Sequence, residues 1–142
     1  MKLIGIDYGD ARVGIASSDR GGRIASSVCV LKVSGIENAA ALTAAKAKEL
    51  DGELLVVGRP VTTAGQDGYR VQRTERFAEL LRKESGHEVV FYDERFSSLE
   101  ASRYLSEGNV YGAKRKKVLD AVAAQIILQA YIDASDREQK DI

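Results

Sequence analysis

Cysteine, histidine and proline each occur once in this chain of 142 residues, and its positive and negative side chains cancel. A lone cysteine, Cys29, cannot close an internal disulfide, which excludes a disulfide-stapled secreted scaffold and suits a reducing cytoplasm. It sits in an apolar run, where a small buried hydrophobe is expected. One histidine, His87, and one cysteine cannot complete a zinc centre. A bound metal would therefore be held by carboxylates, which points to magnesium or manganese. Long apolar runs are also missing. No segment approaches the roughly 20 residues that span a bilayer, and the N-terminus lacks the charged, apolar and small-residue regions of a signal peptide. The expectation is a soluble, cytoplasmic protein with no membrane partner. Because Lys plus Arg and Asp plus Glu number 21 each, no global field gathers nucleic acid, and any polyanion must be held by a local patch. The length suits one domain with a sizeable core and leaves no room for a two-lobed ATPase.

What is present is organised around the stretch from Leu3 to Ala16. The apolar run Leu3-Ile4-Gly5-Ile6 reads as a strand buried on both faces, and it ends abruptly in the carboxylate of Asp7. Gly9 allows a tight turn beside that carboxylate, and Gly14 leaves room for a ligand or another backbone to approach the second strand. The pattern is similar to the first hairpin of ribonuclease H-like nucleases, whose leading aspartate holds a metal ion. It is also similar to the phosphate-binding hairpin of the actin, sugar-kinase and heat-shock ATPase superfamily, and the stretch alone does not separate the two. A dinucleotide-binding turn fits poorly, because Asp7 leads into a second strand and not into a helix.

Arg12 to Ser18 and Arg23 to Val33, with turn chemistry at Asp19-Arg20-Gly21-Gly22, complete an antiparallel meander of three strands. Ser34 and Glu37 have the spacing of a capping box before an alanine-rich helix from Asn38 to Leu50 that Gly52 stops. Leu54 to Val57 is a doubly buried strand ended by Gly58-Arg59-Pro60. After a loop from Val61 to Gly68, the apolar face Val71, Phe77, Ala78 and Leu81 marks an amphipathic helix from Tyr69 to Glu84, closed by Gly86. Val89 to Tyr92 forms a fifth strand leading into Asp93-Glu94-Arg95. A short helix from Ser97-Ser98 to Leu105 comes next, then the basic run Lys114-Arg115-Lys116-Lys117 and a helix from Val118 that is apolar nearly all round. That last helix should lie against the sheet and be covered by something else. The fold expected is α/β, a mixed five-stranded sheet of three antiparallel strands and then βα units, with helices on both faces.

Three acids stand where apolar surroundings make them costly: Asp7 ending the first strand, Glu94 just past the fifth, and Asp120 on the buried helix. Each has a structural reading. Asp7 can cap a turn, Glu94 can pair with Arg95, and Asp120 can favour the first turn of its helix. Together they interrupt three apolar elements at positions able to converge, where a divalent cation would relieve their repulsion. Two such ions roughly 4 Å apart clamp the attacking water and the leaving oxygen in phosphodiester hydrolysis. Asp93 is an alternative to Glu94, since strand parity turns only one of them toward Asp7. Lys114, Arg115, Lys116 and Lys117 adjoin Asp120 and could contact phosphates. Arg12, Arg59, Arg70, Arg73 and Arg95 could extend that track, and Tyr8, Tyr69 and Tyr111 could stack on bases.

Four ordered motifs carry a specific resemblance: Asp7-Tyr8-Gly9 with Arg12, Gly14 and Ala16; Val57-Gly58 with Pro60; Asp93-Glu94-Arg95 with Ser97, Ser98 and Ala101; and Lys117 with Asp120, Ala123, Ala124, Leu128 and Gln129. Together they resemble the YqgF family, also called RuvX, over residues 2 to about 131. That family is described as Holliday junction resolvases or as nucleases maturing the 5′ end of pre-16S ribosomal RNA. The resemblance implies a ribonuclease H-like nuclease domain, placed at residues 1–134; the residues from Ser135 to Ile142 are charged and lack an apolar pattern, so a frayed tail is expected at 135–142. The resemblance also implies Asp7, Glu94 and Asp120 as catalytic and metal-binding acids. This chain departs from the usual pattern at Arg59, where an apolar residue is commoner, at Thr62-Thr63-Ala64, and at Ser97-Ser98 in place of threonines.

The leading expectation is therefore a Mg2+- or Mn2+-dependent endonuclease, with one or two ions, that acts on structured RNA in 5′-end processing of pre-16S rRNA. The rival substrate is a four-way DNA junction, whose two symmetric cuts call for a homodimer. From other classes come a phosphotransferase or ATPase fragment, which leaves Asp93-Glu94-Arg95 and the segment from Lys114 to Asp120 unexplained, and a nucleic-acid-binding scaffold without turnover, which the intact acidic triad argues against.

Overall fold

The computed structural model describes residues 1–60, 68–93 and 112–140, with side chains from Asp120 to Asp136 in the final helix. Five strands, β1 (Leu3–Tyr8), β2 (Arg12–Ser18), β3 (Ala25–Lys32), β4 (Leu54–Arg59) and β5 (Glu88–Asp93), form one sheet in the order β3-β2-β1-β4-β5. β1, β2 and β3 pair antiparallel, whereas β1–β4 and β4–β5 are parallel. The expected mixed sheet is thus the observed one. Its parallel half needs crossover helices, supplied by α1 (Ile36–Glu49) and α2 (Gly68–Ser85); α3 (Gly112–Lys140) comes after β5.

The alternation of side chains sends successive residues of β1 to opposite faces. Ile4, Ile6 and Tyr8 join Val13, Ile15, Leu55 and Val57 in a core covered by Ala39 and Ala40 of α1 and by Phe77, Ala78 and Leu81 of α2. Leu3 joins Ala16, Leu54 and Val56 in a second core covered by Ala124, Ile127, Leu128 and Ile132 of α3. Both faces of β1 and β4 are covered, which is why these strands read as continuous apolar runs. The helix α3 buries a single stripe, Ala123, Ala124, Ile127, Leu128 and Ile132, while Val122 and Ile126 stay half-exposed.

Two glycines let α3 sit directly on the sheet. A Cβ on Gly5 would stand 2.7 Å from both the Ala124 carbonyl oxygen and Leu128 Cβ, and one on Gly14 would fall onto the Asp120 carbonyl oxygen. The amides of Gln125 and Gln129, one helical turn apart, fix the register of α3 against β3. Ala25 N–H donates to Gln129 Oε1 (2.9 Å), Gln129 Nε2 donates to the Arg23 carbonyl (3.1 Å), and Ser27 Oγ–H donates to Gln125 Oε1 (2.6 Å).

Several local expectations are corrected. Ser34 makes no capping box. The N-cap of α1 is Gly35 (φ 90°), with no side-chain cap, and Ser34 N–H donates to Asn38 Oδ1 (2.8 Å) instead. The helix begins at Ile36 because that glycine tolerates the positive φ. At the other end the left-handed residue is Asp51 (φ 56°), not Gly52. Gly52 N–H bonds the Ala47 carbonyl (2.9 Å) and Asp51 N–H the Lys48 carbonyl (3.1 Å), the paired bonds of a Schellman ending. Gly52 is required for space, since a Cβ there would collide with Ile4 Cγ1. The basic run from Lys114 to Lys117 lies inside α3, whose backbone is helical from Gly112 through Lys140. From Ser135 to Lys140 there is no Gly or Pro to break the helix. The expected helix at Ser98–Leu105 lies outside the described residues.

Candidate nucleic-acid cleavage site

Asp7 sits near the carboxyl end of β1 on the face covered by α3, directly opposite Gly14 in the antiparallel ladder. Gly14 is also where α3 touches β2, through the backbone of Asp120. One glycine is therefore the backbone neighbour of both acids, and its missing side chain lets the Asp120 backbone come down onto the strand that pairs with Asp7. A larger residue would hold α3 away from the strand. The expectation that Gly14 admits a close backbone is met, and the backbone is that of Asp120. Both acids are half-buried.

Arg12 opens β2 on this same face, two residues before Gly14. Its Nε lies 3.2 Å from Asp120 Oδ2, and the two side chains are 26% and 25% exposed. Directly across the β2–β3 ladder from Arg12 stands Lys32. The expectation placed Arg12 among cations for a substrate, whereas the fold pairs it with Asp120. The only sequence signal for this pair was a basic residue two positions from a glycine on an alternating strand.

Other candidates are placed elsewhere. Asp93 shares the face of Val89 and Phe91, the side covered by α2, so it is turned away from Asp7. Glu94 and Arg95 lie outside the described residues, as does Tyr111. Arg59 is bound to Glu75 of α2 (Nη2 to Oε1, 2.8 Å), both about half-exposed, on the side of the sheet opposite Asp7. It is not brought to the acids, because strand alternation after Gly58 sends it to α2. Tyr8 is buried and stacked on Phe77, with ring centroids 4.4 Å apart, so it cannot receive a base. Lys114 to Lys117 occupy the N-terminal turns of α3, just before Asp120, and their side chains lie outside the described residues.

On the α2 side, Asp10 was not anticipated. It accepts from Tyr8 Oη (3.1 Å) and Arg73 Nε (3.3 Å), tying the β1–β2 turn to α2. Burial, then the hydrogen bond to Asp10, pushes the Tyr8 hydroxyl pKa up from 10.0. Arg73 also lies 5.9 Å from the ring centre of Tyr69, which is 63% exposed. Asp10 was legible only as a turn residue, since its partner Arg73 comes from another element.

No group of three His, Cys, Asp or Glu able to hold a metal is found among the described residues. Two carboxylates do share one face there, and hard oxygen donors of that kind fit Mg2+ or Mn2+. No helix among the described residues is long and apolar enough to cross a membrane.

Comparison with known proteins bears on this geometry. A protein of Syntrophus aciditrophicus named "Putative pre-16S rRNA nuclease" is 33% identical over 98% of this chain and 93% of its own length. One of the same name from Desulfitobacterium hafniense is 39% identical over 94% of this chain and 92% of its own. Among solved structures, Thermus thermophilus RuvC in complex with a Holliday junction superposes with a TM-score of 0.62 at 19% identity, covering 96% of both chains. The fowlpox virus resolvase with Holliday junction DNA gives 0.54 at 12% identity, over 95% of this chain and 99% of its own. These two similarities establish a ribonuclease H-like fold. The model of the RuvX family, described as Holliday junction resolvase, matches residues 1–134, and with the relatives above it shows that the chain belongs to that family.

Proposed function

We propose that this protein is a metal-dependent endonuclease that hydrolyses a phosphodiester bond in the 5′-end processing of pre-16S rRNA. The observation that carries the reading is that Gly14, at the carboxyl edge of the sheet, is at once the ladder partner of Asp7 and the residue against which the Asp120 backbone lies. Relatives at 33% and 39% identity, named for pre-16S rRNA, support the choice of substrate.

Asp7 is delivered by a rigid central strand, and Asp120 by a helix whose backbone is pressed onto β2, so neither carboxylate has to be ordered when the reaction begins. Glu94 is the third ligand in this reading, supported by the turning away of Asp93. Mg2+ or Mn2+ would supply an activated water and neutralise charge on the leaving oxygen. Lys114, Arg115, Lys116, Lys117 and Arg95 are the candidates for phosphate contacts, which position a strand without reading its bases. Arg59 is left out of this set, because Glu75 holds it on the other face.

The test is cleavage by wild type and Asp7→Asn, with Mg2+ or Mn2+, of a pre-16S RNA 5′ end and a four-way DNA junction in parallel. Asp7-dependent cutting of the RNA alone is the expected result. Equal cutting by the variant would sink the reading. The family description supports a second reading, junction resolution. That reading requires a two-fold dimer making paired symmetric cuts, and a strictly monomeric enzyme would count against it.

A further inference from the structure

We propose that Arg12 is an exchangeable counter-ion, competing with the divalent ion for Asp120 and moving to a nucleic-acid phosphate once the ion has taken that carboxylate. The inference rests on the reading of Asp7 and Asp120 as metal ligands.

Four features of the site lead to it. The Arg12 Nε to Asp120 Oδ2 contact of 3.2 Å occupies an oxygen that a metal at this site would use. The two side chains are 26% and 25% exposed, so water can solvate each when the pair opens, and exchange avoids the large penalty of breaking a fully buried pair. The two partners also differ in freedom. The Asp120 backbone is pressed onto Gly14, whereas Arg12 has a long, flexible stem on the first residue of its strand. The guanidinium is the part that moves. Finally, Lys32 stands directly opposite Arg12 in the β2–β3 ladder, and like charges in that position repel. While Asp120 is paired with Arg12, its charge offsets that repulsion. Once the carboxylate is committed to a dication, Arg12 stands between two positive neighbours, and an incoming phosphate is the anion that can replace it. Ion binding and strand binding are thereby coupled at one edge of the sheet, in a protein whose net charge is zero.

The sign of the effect separates this from a structural role. Loss of a merely structural residue weakens metal binding, whereas loss of a competitor tightens it. Free Mn2+ is measured by electron paramagnetic resonance during titration of the full chain, without nucleic acid, for wild type, Arg12→Met, Arg12→Lys and Asp7→Asn. Arg12→Met is expected to bind Mn2+ about tenfold more tightly, Arg12→Lys within about threefold of wild type, and Asp7→Asn far more weakly. A hairpin RNA with phosphorothioate linkages is then titrated by fluorescence anisotropy between about 50 and 200 mM salt. With Mn2+ present, the slope of log affinity against log salt should fall by about one in Arg12→Met; without Mn2+ it should not change. Unchanged or weaker Mn2+ binding by Arg12→Met, alongside loss in Asp7→Asn, overturns the competition and leaves the metal site standing. A salt slope that falls equally without Mn2+ overturns the exchange. Mn2+ binding by Asp7→Asn as tight as wild type removes the metal site, and this inference with it.

Discussion

Replacing Gly14 by alanine adds one methyl group, and the structure predicts a large loss from it. In an unconstrained strand a Gly→Ala change stabilises by about 0.4–1 kcal/mol, because it restricts the unfolded chain. Here the new Cβ meets the carbonyl oxygen of Asp120, which is backbone and cannot swing aside. Relief requires α3 to lift from β2. That helix is held by its contact at Gly5 and by the bonds of Gln125 and Gln129 to β3. Overpacking of this kind costs about 1–3 kcal/mol, and a backbone obstacle puts Gly14→Ala at the upper end. With a urea dependence of about 1–3 kcal/mol per molar, the unfolding midpoint should drop by roughly 1–3 M. Because the lifted helix carries Asp120 away from Asp7, Mn2+ affinity should fall at least tenfold in protein that is still folded. Gly68→Ala is the control, since no described residue lies within 4 Å of a Cβ there. At the first position of α2 that change should alter stability by no more than about 1 kcal/mol. A Gly14→Ala protein with the wild-type midpoint and wild-type Mn2+ affinity would refute the account of how the two acids are brought together.

Phe77 is fully buried and stacks on Tyr8, so Phe77→Ala should cost about 3–5 kcal/mol, read as a lowered urea midpoint. Arg59→Ala removes an exposed pair with Glu75; it should change stability by no more than about 1 kcal/mol, and RNA affinity by anisotropy should stay within about twofold. Asp19 accepts from the N–H groups of Arg23 (2.7 Å) and Ile24 (3.0 Å), and these bonds lower its pKa from 3.8. Its contribution is present above pH 3.8 and lost as pH falls through the lowered folded value. The Arg23 and Ile24 amide resonances should titrate with a midpoint below 3.8 in wild type, and that titration should be gone in Asp19→Asn. Tyr8 runs the other way. Its raised pKa means the neutral hydroxyl is the form folding favours, so the contribution holds below pH 10.0 and is lost as pH rises through the folded value. An alkaline unfolding step that persists unchanged in Tyr8→Phe would contradict this.

Much of the fold was legible because its signals are local. The doubly covered strands β1 and β4 appear as unbroken apolar runs, the buried face of α2 repeats at helical spacing, and Gly86 ends that helix. The misreadings at α1 were also local in origin. Ser34, Glu37 and Gly52 match consensus cap positions, yet Gly35, Asn38 and Asp51 do that work. Gly52 is reserved for the close passage of Ile4, which comes from another strand and cannot be seen in the helix's own sequence.

At the site, sequence alone singled out Asp7 and Asp120, because a carboxylate interrupting an apolar element is costly enough to need a reason. It also showed that only one of Asp93 and Glu94 can face Asp7, since side chains alternate along a strand. Tertiary structure decided the rest. It turned Asp93 and Arg59 to the α2 side, buried Tyr8 against Phe77, and brought Arg12 to Asp120 with Lys32 beside it. Those outcomes depend on strand register and on which helix lies on which face. Both are set by contacts between segments far apart in the chain, through a glycine whose importance lies in the side chain it does not have.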